Sequence, residues 1–129
     1  MNLKQSRLVT EDVERLTGFY EMLTGAKAEV LNAGYVEFQH NPCAGLAIVA
    51  TTVTRVYGAD TLAAAANRSL VLDFEVDDVD AEYARLKPKV ADWVQPPKTM
   101  PWGTKSILFR DPDGNLINMF TDPRQPANE

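Results

Sequence analysis

One cysteine and one histidine stand in a chain of 129 residues. A lone cysteine excludes an internal disulfide and any cysteine-based zinc cluster within one chain. A lone histidine, His40, excludes a site that needs two imidazole ligands from one chain. A Ser-His-Asp triad would have to use His40, and no nucleophile-elbow sequence accompanies it. Cys43 lies in "HNPCAGLAIV", which runs straight into an apolar segment, so it reads as a small buried hydrophobe rather than a nucleophile. There is no basic run either. The 13 Lys and Arg are outnumbered by 18 Asp and Glu, for a net charge of −5. Phosphate contacts need clustered cations, so nucleic acid is excluded as a partner, while a cationic ligand would be attracted. No apolar stretch is long enough to span a bilayer, and "MNLKQSRLVTEDVERL" lacks the apolar core of a signal peptide. The expectation is a cytoplasmic protein with no membrane partner.

What is present is ordinary in amount and informative in order. A hydrophobic fraction of 45% and a charged fraction of 24% suit one compact soluble domain. "LVTEDVERLTGFYEML" and "FEVDDVDAEYARL" each read as a strand end, an acidic pair and a helix, with Asp12 and Asp78 in matching places, an internal duplication. The first helix should start near Asp12 and stop at Gly25. Val13, Leu16, Tyr20 and Leu23 give it one apolar stripe. The second repeats the pattern with Val79, Tyr83 and Leu86 and stops at Pro88. Strand-like runs follow each helix: "AKAEVLNA", "YVEFQH" and "GLAIVATT", then "VADWVQ", "KSILFR" and "LINMFT", with Gly34, "NPCAG" and "DPDGN" as turns. "DPDGN" is read as structural, with Gly114 free to take a positive φ. The order in each half is strand, helix, strand, strand, strand. The expected modules cover 1–52 and 69–122 of a single domain, joined by a linker over 53–68 in which Ala63 to Ala66 make a short helix.

Alternation in "SLVLDFEV" places Leu70, Leu72, Phe74 and Val76 on one face, toward the helices, and Ser69, Val71, Asp73 and Glu75 on the other. Matching the halves sets Gln5 against Val71 and Arg7 against Asp73, so these four should line one concave surface, joined by Leu116, Asn118 and Phe120 of the last strand. Antiparallel sheets often have one merely solvated face, but this face's mixture of apolar and polar side chains suits a ligand pocket better.

With "DVERLTGFYEMLTG" early and "FRDPDGNLINMF" late, the repeated strand–acidic-turn–helix resembles the vicinal oxygen chelate superfamily, which includes glyoxalases, extradiol dioxygenases and bleomycin-binding resistance proteins. The resemblance covers nearly the whole chain. It implies an α+β fold of two βαβββ modules whose mixed sheets curl into a cup, often completed in a homodimer. It also implies metal-ligand positions at Gln5, Val71 and Asn118. Gln is a weak oxygen ligand, Val is none, and a neutral Asn gives up the charge a divalent cation favours. The fourth position, on "GLAIVATT", offers neither a carboxylate nor an imidazole. The expectation is therefore no metal and no cofactor. Asn118, able both to donate and to accept, would hold an organic ligand, or else only satisfy its protein neighbours. "PWG" resembles the bleomycin-binding branch, in which a Trp at the rim stacks on a planar ligand. Trp102 fits that role, or packs over the sheet edge, while Trp93 reads as core or interface.

The reading that follows is metal-independent binding and sequestration of a small planar or aromatic molecule, an antibiotic being the most concrete case. Trp102 stacks, Asn118 and Gln5 hydrogen-bond, Arg7 and Asp73 set the charge balance, and Val71 and Phe120 supply apolar lining. The catalytic alternative is a glyoxalase-like lyase or isomerase using Glu37, Gln5 or His40. A third is a module that binds a partner protein through a vestigial cup.

Overall fold

The computed structural model describes residues 1–123. The chain divides into two compact units, Met1–Ala66 and a second beginning at Asn67. Each has the order strand, helix, three strands, so the fold is α+β with two βαβββ modules.

In the first unit, strand β1 (Ser6–Thr10) leads to helix α1 (Val13–Thr24). The Asp12 carboxylate accepts from the Arg15 amide at 3.1 Å and so starts the helix. Gly25, at φ 73°, ends it by donating its amide to the Glu21 carbonyl, a left-handed cap that only glycine takes without strain. Leu16, Tyr20 and Leu23 of the apolar stripe are buried. Strands β2 (Glu29–Asn32), β3 (Tyr35–Phe38) and β4 (Leu46–Ala50) complete a sheet in the order β1-β4-β3-β2, with β1 parallel to β4 and the other pairs antiparallel. Helix α1 packs on β3 and β4. The central strand β4 is buried on both faces, which explains why "LAIVA" is continuously apolar instead of alternating.

The segment after β4 departs from the sequence expectation. The strand stops at Ala50. Helix α2 (Thr51–Thr54) and a single 3₁₀ turn (Arg55–Tyr57) follow at once, and Ala63 to Ala66 form no helix. Four alanines with no cap do not meet the cost of nucleating a helix turn, and Ala65 takes a positive φ of 53°, which breaks helical geometry.

The second unit repeats the plan with β5 (Val71–Glu75), α3 (Val79–Leu86), β6 (Asp92–Thr99), β7 (Lys105–Arg110) and β8 (Leu116–Thr121), in sheet order β5-β8-β7-β6. The Asp78 carboxylate caps α3 by accepting from the Ala81 amide at 3.0 Å. Ile107, Phe109, Ile117 and Met119 form the buried face of β7 and β8, against α3 with Val79 and Leu86. Strand β6 runs four residues beyond the "VADWVQ" reading, through Pro96 and Pro97. It lies at the sheet edge, where missing amides cost least, and its register shifts twice against β7. Trp93 packs edge-on against Tyr83, with ring centroids 4.9 Å apart, and against Phe109 at 5.1 Å.

Candidate functional site

The face of each sheet turned away from its helix carries the polar residues singled out in the sequence. The two faces belong to different units and are described in turn.

In the first unit, pairing register sets Arg7 beside Ala47 and Ala47 beside Glu37, and sets Val9 beside Val49 and Val49 beside Tyr35. Directly paired residues share a face, so Arg7, Tyr35 and Glu37 project together, on the side opposite buried Leu8, Val36 and Ile48. Gln5 lies one residue before β1. Its amide donates to the Tyr35 hydroxyl at 2.8 Å, and the Tyr35 hydroxyl donates to the Glu37 carboxylate. Gln39 donates to the other Glu37 oxygen at 3.3 Å. The Tyr35 hydrogen bond holds the Glu37 carboxyl below its ordinary value. Burial, reinforced by Glu37, raises the Tyr35 phenol. Arg7 donates to the Tyr57 hydroxyl at 3.0 Å and lies 5.3 Å over that ring, a cation–π contact. Tyr57 comes from the 3₁₀ turn, fifty residues on in sequence. Neither it nor Tyr35 stood out in the sequence, because nothing local marks a partner supplied from so far along the chain.

In the second unit the turn after β7 sets the geometry. Asp111 is buried, and its Oδ1 accepts from the amides of Asp113 at 2.9 Å and Asn115 at 3.0 Å. Its Oδ2 accepts from Asn115 Nδ2 at 2.8 Å. Gly114 supplies the required positive φ of 87°. This closed turn launches β8 in fixed register, pairing Leu116 with Val71, Asn118 with Asp73 and Phe120 with Glu75. On the other side Asn118 pairs with Leu108, which pairs with Gln95. One row thus crosses the sheet as Asp73, Asn118, Leu108 and Gln95. Asn118 Nδ2 donates to Asp73 Oδ1 at 3.0 Å, so the amide bonds a side chain and not its neighbouring backbone. Asn118 Oδ1 is shut from water and has no hydrogen-bond partner among the described residues. Val71 remains 48% exposed. Gln95, missed in the sequence, donates to the Ser106 carbonyl at 3.3 Å.

Trp102 occupies the turn between β6 and β7, closed by the Gly103 amide donating to the Met100 carbonyl at 2.9 Å and the Met100 amide to the Thr104 carbonyl at 2.7 Å. It is 62% exposed, so it is not packed over the sheet. Trp93 is half-buried between its aromatic neighbours. Cys43 is buried, and burial pushes its thiol up to about 11, which leaves it protonated and unreactive.

The donor set does not fit a divalent metal. Val71 has no donor, and Asn118 and Gln5, whose NH₂ groups donate to Asp73 and Tyr35, could offer only neutral amide oxygens without the charge a divalent cation favours. Among the described residues no three His, Cys, Asp or Glu side chains gather in one place, and no helix is long and apolar enough to cross a membrane.

The sequence profile of the Glyoxalase/Bleomycin resistance protein/Dioxygenase superfamily matches residues 2–119. An uncharacterized protein of Bacillus subtilis (strain 168), YraH, is 29% identical over 125 residues, covering 93% of this chain and 98% of that one. A crystal structure of a protein of unknown function from Agrobacterium tumefaciens superposes with a TM-score of 0.78 at 26% identity, over 94% of each chain. The bleomycin resistance determinant encoded on transposon Tn5 has the same fold, with a TM-score of 0.67 at 18% identity over 95% of this chain and 99% of that one.

Proposed function

Because the chain belongs to the glyoxalase/bleomycin resistance protein/dioxygenase superfamily, yet lacks donors for that superfamily's metal, we propose that it binds and sequesters a small planar or aromatic molecule without a metal. The observation that carries this is the Asp73–Asn118 pair. A carboxylate and a neutral amide stand side by side, with apolar Val71, Leu116 and Phe120 in the adjoining rows. Such a surface recognises an organic molecule that has hydrogen-bond donors at one end and a flat apolar body. A small rotation about the terminal torsion of Asn118, which is soft, offers its partnerless oxygen to a ligand N–H. The antibiotic version rests on the rim turn Pro101-Trp102-Gly103, whose exposed indole is a stacking surface held in a closed turn. In the first module, Gln5 and Arg7 offer polar contacts on that module's own sheet face. A homodimer covers the exposed apolar residues.

The catalytic alternative would use Glu37 as a general base. Its hydrogen bond from Tyr35 draws the carboxyl down, whereas a base is most effective when its pKa lies near the working pH. Binding without turnover is therefore the better reading. A panel of aromatic natural products, titrated against the protein by tryptophan fluorescence, tests it. At least one should bind saturably and be recovered unchanged. Conversion of a bound compound, or no binding across the panel, contradicts the reading.

A further inference from the structure

A cavity lies within the first unit, on the helix side of its sheet. It encloses about 500 Å³ between α1, which supplies Glu14, Thr17 and Gly18, and the β2–β3 hairpin, which supplies Ala28, Val30 and Val36. The residues of the sheet-face site, Gln5, Arg7, Tyr35 and Glu37, do not line it. Its size falls within the roughly 300–1,000 Å³ of small-molecule sites.

Glu14, Thr17, Gly18 and Glu21 recur at three- and four-residue spacing, so they form one stripe along α1. This stripe is separate from the buried Leu16, Tyr20 and Leu23. Glu21 accepts from the Ala28 amide at 3.0 Å, which ties the start of the hairpin to the helix and closes one end of the cavity. Gly18 sits in mid-helix, where glycine is the least favoured residue after proline. The ordinary reasons for a glycine do not apply there. Its φ is not positive, it is not at a helix end, and a Cβ at that position would meet no atom within 4 Å. What the absent side chain leaves is open space on the cavity wall. Beside it, Thr17 Oγ1 is shut from water and has no hydrogen-bond partner among the described residues. Helical threonine has two available χ1 rotamers, and exchanging them would turn the hydroxyl toward a donor in the cavity.

We propose that this cavity is a second binding site, for a small hydrophobic amine. The apolar body lies between Val30, Val36 and the bare backbone of Gly18. The ammonium group meets the Glu14 carboxylate and can give the Thr17 hydroxyl the partner it lacks. This site is independent of the sheet-face reading and stands or falls without it.

The test uses phenethylamine as probe, with 2-phenylethanol and 3-phenylpropionate as its neutral and anionic counterparts, followed by amide chemical shifts of the whole chain. Phenethylamine should give saturable shifts concentrated in residues 13–36, the alcohol weaker ones and the carboxylate none. Glu14→Gln should weaken the amine about threefold, as befits one exposed ion pair, and leave the alcohol unchanged. Gly18→Ala should raise the melting temperature, since its methyl group meets nothing, and Gly18→Leu should abolish binding by filling the space. If Gly18→Leu does not fold, the Glu14→Gln comparison and the three-probe series decide. Saturation of Gly18→Leu equal to the parent, equal binding of all three probes, or no shift in residues 13–36 overturns the proposal. So does a dimer that Gly18→Leu dissociates while the amine has no effect on the parent, because the cavity is then an interface between copies.

Discussion

The side-chain amide of Asn118 donates to the Asp73 carboxylate across 3.0 Å, from positions directly opposite one another on the parallel strands β8 and β5. The contact orients the amide so that its NH₂ group is used and its oxygen is not. A carboxylate at residue 118 would face Asp73 with like charge and repel it. The neutral amide removes that repulsion and leaves one acceptor to offer.

Asn118→Leu should therefore leave the fold nearly as stable, since the bond it loses is partly exposed and the orphaned oxygen goes with it. Affinity for the aromatic ligand should fall about tenfold, as for one charge-linked hydrogen bond. Chemical denaturation and a fluorescence titration of the same preparation separate the two effects. Unchanged affinity would remove Asn118 from the site.

Trp102 and Trp93 should behave oppositely. The exposed Trp102 supplies stacking surface, and Trp102→Ala should weaken binding roughly thirtyfold while sparing stability. Trp93, wedged between Tyr83 and Phe109, should cost about 2–4 kcal/mol of stability when replaced by Ala, with a smaller direct effect on affinity. Thermal melts beside ligand titrations check the pair. A destabilised Trp102→Ala, or one that binds like the parent, contradicts the assignment.

The Tyr35–Glu37 pair should add stability near neutrality that is lost at both pH extremes. Glu37 is lowered from 4.5 in the folded state, so its contribution is present above 4.5 and is lost as pH falls through the folded value. Tyr35 is raised from 10.0, so its contribution is present below 10.0 and is lost as pH rises through the folded value. Tyr35→Phe removes the hydrogen bond and the phenol together. Its stability should differ most from that of the parent near neutrality and converge on it in both acid and alkali. A constant difference across the range would show that the pair contributes packing only.

Self-association is expected from the superfamily resemblance, with the individually exposed Val71, Val94 and Trp102 of the second unit as apolar residues a two-fold partner would cover. Light scattering at micromolar concentration should give twice the chain mass. A monomer would leave the fold as described and remove the dimer.

Much of this architecture could be read in the sequence where the signal is local. Asp12 with Gly25 and Asp78 with Pro88 bracket the helices, and "DPDGN" fixes the last hairpin. Alternation in "VLDFE" separated Leu72 and Phe74 from Val71 and Asp73. Pattern failed where tertiary context decides. The strand-like run "VADWVQ" covers only the first part of β6, which continues through Pro96 and Pro97 because an edge strand tolerates both. Four alanines suggested a helix that no cap or packing face sustains. The partners of Gln5 and Arg7, namely Tyr35 and Tyr57, are thirty and fifty residues away, and no periodicity connects them. Gln95 escaped notice for the same reason, since its place beside Leu108 depends on a register shift in β6. The cavity at Gly18 exists only once the hairpin has folded over the helix.

The central claim is that the sheet-face site works without a metal. The most direct measurement is the affinity for the aromatic ligand found by the panel, determined by calorimetry on protein stripped with a chelator and again with one equivalent of zinc, nickel, manganese or iron, with elemental analysis of the protein as purified. The same affinity in every case, and no stoichiometric metal in the purified protein, is the expected result. One metal per chain as purified, or ligand binding that appears only when metal is restored, would contradict it.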